Sequence, residues 1–104
     1  MNLNTHDRLI LLGTLPKEGD FATLKIVHQL RENLSFSEEE IKALNLQRTD
    51  GGYTWNAQAD KPREIPIGEK ATDIIVEALR LLNAEKRLTE SHFSLYERFV
   101  EQSE

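Results

Sequence analysis

The sequence predicts a single α+β domain over residues 1–104 that is mainly helical. We expect three N-terminal helices, a small antiparallel β-meander and two C-terminal helices. Apolar residues recur at helical spacing before residue 45 and after residue 68, and the stretch between them is rich in turn-forming and β-favouring residues. A chain of 104 residues is long enough to bury one core. Three helices followed by a hairpin is also the order of a winged-helix domain.

The first two helices are predicted from their capping residues and apolar stripes. Asn4 or Thr5 is suited to cap the first helix. The apolar cluster Leu9–Leu12 is compatible with a strand or a buried helix, and the cap before it together with the glycine and proline after it favours the helix. Asp20 is a good cap for an amphipathic helix over residues 21–34.

A capping box predicts the start of the third helix. Ser37 is followed three residues later by Glu40, the spacing at which each side chain accepts a hydrogen bond from the backbone N–H of the other residue. The helix is short and is expected to end near Leu44.

The middle of the chain has the pattern of a β-meander. Residues 46–56 are typical of a hairpin, because an Asp-Gly turn precedes Tyr53 and Trp55 in a β-favouring run. These two aromatic side chains then point to the same face. Residues 64–67 are expected to add a third strand, which Pro66 would keep at an edge.

Two helices with wide apolar arcs complete the chain. Over Gly68–Asn83 the apolar arc spans about 160°, which is more than one neighbouring helix covers. A last helix capped by Thr89 has a similar arc, formed in part by His92, Tyr96 and Phe99. The two are predicted to form a helical hairpin that clamps the N-terminal bundle. Residues 101–104 are expected to fray.

Composition argues against several classes of partner. The net charge is −5, from 18 acidic and 13 basic residues, so phosphate backbones and anionic lipids repel the protein at long range. The sequence has no apolar run of transmembrane length and no signal-peptide pattern. Cysteine is absent, which excludes disulfides and cysteine-ligated metals. A cytoplasmic location is the expectation.

No motif points to catalysis. None of the three histidines, His6, His28 and His92, has a second histidine or a carboxylate at metal-ligand spacing in a recognisable motif. Carboxylate pairs lie on the predicted solvent faces of helices, whereas paired catalytic carboxylates need a cleft. There is no phosphate-binding glycine loop. We therefore expect no enzymatic activity, metal, cofactor or small-molecule ligand.

A winged-helix regulator is the main alternative function. Residues 21–34 and 37–44 would form the helix-turn-helix pair, and residues 46–56 the wing. The recognition helix would then present Glu38–Glu40 to the DNA, with Lys42 as its only basic residue. Such a surface opposes phosphate contacts, so a winged-helix shape here favours a protein-binding derivative.

Protein interaction is the function that the sequence favours. Tyr53 and Trp55 are residue types that commonly anchor interfaces. The alternative, that they cover the core beneath the hairpin, is favoured by the scarcity of other aromatic residues.

Residues 71–100 are a candidate homodimer seam because both helices there have wide arcs. A lone histidine such as His92 is usually satisfied in a core or an interface, and a pH switch is its alternative role. The last helix contributes three candidate interface residues: His92, Tyr96 and Phe99.

Three stretches resemble small uncharacterised proteins encoded by tailed phages and prophages. They are residues 15–19 (LPKEG), residues 36–40 (FSEEE) and residues 65–70 (IPIGEK). The resemblance assigns no role to any residue. It implies a bacterial cytosol and an accessory role, such as modulating a host or phage protein. A structural subunit of a larger assembly is a further alternative.

Overall fold

The computed structural model describes residues 1–101 and confirms the predicted α+β fold, which is mainly helical. Five helices and two small antiparallel sheets are present in this part of the chain. A single turn of 3₁₀-helix at 57–59 and a π-helical turn at 97–101 supplement them. Apart from Glu101, the segment expected to fray lies outside the described residues. The elements in chain order are β1 (Asn2–Leu3), α1 (Thr5–Thr14), α2 (Phe21–Leu34), α3 (Glu38–Leu44), β2 (Gln47–Thr49), β3 (Gly52–Thr54), β4 (Arg63–Glu64), α4 (Glu69–Ala84) and α5 (Glu90–Tyr96).

The N-terminal helices begin where their capping residues predict. The side chain of Asn4, rather than that of Thr5, caps α1. The Asp20 side chain accepts a hydrogen bond from the Thr23 backbone N–H at 2.8 Å and caps α2. The capping box predicted at the start of α3 is present with both of its hydrogen bonds. Local capping chemistry therefore sets these helix starts.

The strand after the hairpin has a different partner from the one predicted. Strands β2 and β3 form the expected hairpin, but β4 pairs with β1 at the start of the chain, in the register Asn2 with Glu64 and Leu3 with Arg63. The Ile65 backbone N–H extends this pairing by donating to the carbonyl of Met1 at 2.9 Å. The pairing places the buried side chains of Leu3 and Ile65 in the same core.

The core is one hydrophobic cluster that draws on both ends of the described chain. On α4, only Ala71, Ile75 and Leu79 are buried, whereas Leu81 is 61% exposed. The wide apolar arc of α4 is therefore buried along one side, half-buried at Ile74, Ala78 and Leu82, and open to solvent at Leu81. The buried residues of the cluster are Leu3, Leu11, Leu15, Val27, Leu30, Leu34, Ile65, Ala71, Ile75, Leu79, Leu95, Phe99 and Val100.

A buried arginine fastens α1 to the turn between α2 and α3. Arg8 Nη1 lies 2.6 Å from Glu40 Oε2, and its Nη2 and Nε donate to the backbone carbonyls of Ser35 and Leu34 at 2.6 and 3.1 Å. The guanidinium carbon also lies 3.9 Å from the centre of the Phe36 ring. All nitrogen atoms of this guanidinium therefore have partners, as a buried charge requires.

Glu40 receives a second cation, Arg63, whose Nη1 lies 2.8 Å from Oε2. Burial raises the pKa of the Glu40 carboxyl, but hydrogen bonds from Arg8, Arg63 and the backbone of Ser37 outweigh it and lower the pKa to about 2. Glu40 is consequently ionised throughout the physiological range.

Candidate protein-interaction surfaces

The β2–β3 hairpin has two chemically different faces. Arg48 pairs directly with Tyr53, and Gln47 pairs with Thr54. Paired residues of antiparallel strands project to the same side, and successive residues along a strand project to opposite sides. Arg48 and Tyr53 therefore share one face, and Gln47 and Thr54 share the other. All four residues are exposed.

The two aromatic residues of the hairpin are placed differently. Trp55 is half-buried at the base, where its ring centroid lies 6.5 Å from that of His6 on α1. The Asn56 backbone N–H next to it donates to the carbonyl of Leu44 at 2.7 Å and anchors the base. Tyr53 is 47% exposed. Trp55 thus covers the body of the domain, while Tyr53 is accessible from solvent.

The three candidate residues near the C-terminus make contacts within the chain. Phe99 is only 4% exposed and lies in the core, so its predicted place on an interaction surface is wrong. The Tyr96 hydroxyl accepts a hydrogen bond from Asn83 Nδ2 at 3.2 Å. The Thr89 backbone N–H donates to His92 Nδ1 at 3.0 Å. Phe99 and Tyr96 therefore join the C-terminal turn and α5 to the rest of the domain, whereas the His92 hydrogen bond lies within the cap of α5 itself.

His92 acts as a capping residue at the start of α5. Because its Nδ1 accepts a hydrogen bond from backbone, the imidazole is neutral in this arrangement. Burial lowers the pKa of His92 below its usual value of 6.5, which favours the same neutral form. Protonation would remove the acceptor from the cap. The exposed aromatic side chain of α5 is instead Phe93, which is 62% exposed.

A groove that no sequence pattern indicated lies between α2 and α4. Its volume is about 780 Å³, and we call it the α2–α4 groove. Its apolar lining includes Ile26, Leu30, Pro66 and Ala71. Farther along α4, a depression of about 230 Å³ lies between the start of α2 and the exposed side of α4. The sequence signal for this surface was the arc of α4, which did not reveal which part remains uncovered.

A third cavity, of about 350 Å³, lies beside the Arg8–Glu40–Arg63 cluster. Most of its polar side chains already bind one another, since the Thr5 hydroxyl donates to Asp60 Oδ1 at 2.8 Å and Glu40 receives both arginines. This arrangement holds segments of the chain together through paired charges. Within residues 1–101, no three histidine, aspartate or glutamate side chains are grouped so as to hold a metal ion.

Comparisons with known proteins assign no class to the chain. No protein-family model matches it, and no curated protein and no solved structure shows significant similarity to it. Among the described residues, no helix has both the length and the hydropathy needed to cross a membrane.

Proposed function

We propose that this protein is a small, acidic, non-enzymatic protein-interaction domain that binds its partner through the Arg48–Tyr53 face of the hairpin. The observation that carries the proposal is an exposed tyrosine directly beside an exposed arginine on a β-hairpin. Tyrosine and arginine are enriched among the residues that dominate binding energies at interfaces. A fitting partner is a folded protein with an apolar pocket for the ring and a carboxylate for the guanidinium.

We further propose that the partner is a host or phage protein in the bacterial cytoplasm, and that the domain acts on it as an accessory or regulatory factor. The resemblance of residues 15–19, 36–40 and 65–70 to phage-encoded proteins supports this setting. The absence of cysteine is compatible with a reducing compartment.

The test is capture of partner proteins from bacterial lysate by the immobilised full-length chain, with the retained proteins identified by mass spectrometry. Tyr53→Ala is expected to weaken binding of the specific partner about 30-fold, which corresponds to a hot-spot loss of about 2 kcal/mol. Arg48→Ala should weaken it in the same direction.

The polar face of the same hairpin supplies the matched control. Thr54→Ala changes a neighbouring exposed strand residue on the opposite face and should leave binding within about twofold of the wild type. Circular dichroism of each variant checks that the domain remains folded. Equal losses for Tyr53→Ala and Thr54→Ala, or no loss for either, would refute the assignment of this face.

A winged-helix DNA-binding regulator is the alternative that one observation favours. Three residues, 35–37, separate α2 from α3, and a hairpin follows, as in that class of domain. Glu40 is neutralised by two arginines, which removes one of the three carboxylates that oppose DNA binding. A regulator of this class should shift duplex DNA at low salt and lose binding steeply as salt increases. The absence of any shift at low salt removes this alternative.

A structural subunit of a larger assembly is the second alternative. It requires the chain to associate into oligomers of high order. Sizing at increasing protein concentration distinguishes it, because an interaction domain should reach a small, fixed stoichiometry.

A further inference from the structure

One side of α4, next to α2, carries a stripe of four residues, of which three are exposed and Ile74 is half-buried against the core. Its members follow one another at three- and four-residue intervals, so they lie on one face of the helix. This face differs from the buried one formed by Ala71, Ile75 and Leu79. The stripe lines the α2–α4 groove at its start and the smaller depression farther along, and it consists of Lys70, Ile74, Glu77 and Leu81.

The apolar features of this stripe are complementary to each other across Ile74. Leu81 projects as a 61% exposed apolar side chain about 10 Å from Ile74 along the helix axis. In the other direction the α2–α4 groove begins at Ala71, about 5 Å from Ile74, and continues past Gly68 to Pro66. A protruding side chain and a groove able to receive one therefore lie at similar distances on opposite sides of the same residue.

The two charged residues of the stripe also lie on opposite sides of Ile74 and have opposite charges. Lys70 lies about 6 Å on the groove side of Ile74 and Glu77 about 5 Å on the Leu81 side. Within residues 1–101, neither Lys70 nor Glu77 forms an ion pair. Antiparallel packing of two such helices centred on Ile74 sets Glu77 of each copy next to Lys70 of the other.

We propose that this stripe binds a second copy of the chain, with the two α4 helices antiparallel and a twofold axis at Ile74. Leu81 of each copy then enters the α2–α4 groove of the other, and two Lys70–Glu77 pairs flank the Ile74 contact. An isologous interface requires a self-complementary surface of this kind, in which each contact occurs twice. The proposal goes beyond the proposed function, because the Arg48–Tyr53 face belongs to other elements of the chain.

The first test is the solution mass of the full chain at about 100 µM, measured by sedimentation equilibrium and by light scattering. The wild type is expected to have about twice the chain mass of 12.0 kDa. Leu81→Arg should raise the dissociation constant by about a hundredfold or more, because each dimer loses two buried leucine side chains. Phe93→Arg is the matched control, since Phe93 is equally exposed but lies on α5, and it should leave the mass unchanged. A monomeric wild type, or a dimer unaffected by Leu81→Arg, overturns the proposal.

A charge exchange tests the antiparallel register. Lys70→Glu alone places carboxylates opposite one another, and Glu77→Lys alone places ammonium groups opposite one another, so each should weaken the dimer. The double variant restores two pairs of opposite charge and should return the dissociation constant to within about threefold of the wild-type value. Because all of these residues are exposed, the folded state should persist, as far-UV circular dichroism will verify. Failure of the double variant to recover dimerisation overturns the proposed register.

Discussion

Replacing Glu40 by glutamine tests how much the Arg8–Glu40–Arg63 cluster stabilises the fold. Glutamine retains the shape and still accepts the capping hydrogen bond from the Ser37 backbone N–H, so the substitution removes mainly the charge. It leaves the guanidinium of Arg8, which is almost fully buried, without its carboxylate at 2.6 Å. Uncompensated buried charges are strongly destabilising.

The size of the effect follows from the pKa of Glu40. A decrease from 4.5 to about 2 corresponds to at most about 3 kcal/mol of stability at neutral pH. The carboxylate keeps some contact with water and Arg63 is more than half exposed, so screening reduces the expected loss to about 2 kcal/mol. We expect Glu40→Gln to lower the free energy of unfolding by that amount at pH 7, measured by urea denaturation followed by circular dichroism.

The pH dependence has a definite sign. Because the pKa of Glu40 is lower in the folded state, its contribution is complete above the unfolded value of about 4.5 and is lost as pH falls through about 2. The difference between wild type and Glu40→Gln should therefore be constant from pH 7 to pH 6 and decrease to roughly three fifths at pH 3.5. Glu39→Gln is the control, because the neighbouring carboxylate is exposed and should contribute less than about 0.5 kcal/mol. Equal losses for the two variants, or a difference that does not change with pH, would show that the ion pairs do not act as described.

Two further predictions concern the core and the last helix. Leu79→Ala should reduce the free energy of unfolding by about 2 to 5 kcal/mol, because this side chain is fully buried. Phe93→Ala is the control and should change the free energy of unfolding by less than about 0.5 kcal/mol, because Phe93 is exposed. Comparable losses for the two variants in urea denaturation would contradict the assigned core. The ring of His92 should titrate below pH 6.5 in an NMR experiment. Because the unfolded chain binds this proton more readily than the folded chain does, the stability that neutral His92 contributes should be lost as pH falls below 6.5. A titration midpoint above 6.5 would exclude a neutral capping role for His92.

The parts of the fold that depend on neighbouring residues were predictable from the sequence. The caps at Asp20 and Ser37 act over three residues, so the pattern alone identifies where α2 and α3 begin. The Asp-Gly turn likewise predicts the hairpin that β2 and β3 form.

Features that join distant segments were not predictable in the same way. A two-residue strand has no measurable period, so nothing in the sequence indicates that β1 pairs with β4 some sixty residues later. The burial of Arg8 depends on carbonyl groups at residues 34 and 35, which only the folded chain brings close. The helical arc of the last helix includes both Phe93 and Phe99, but tertiary packing decides that the former is exposed and the latter buried.

Arg98 brings the beginning and the end of the described chain together, because it lies 2.8 Å from Asp7 and donates to the carbonyl of Asn2 at 3.5 Å. The described backbone therefore begins and ends in the same region of the molecule. The contacts between segments therefore do not depend on the order in which the gene encodes those segments. A rearranged gene that joined residues 1 and 104 through a linker and opened the chain at the exposed turn at Gly51 would retain the core, the Arg8–Glu40–Arg63 cluster and the Arg98–Asp7 pair, while it would divide the hairpin.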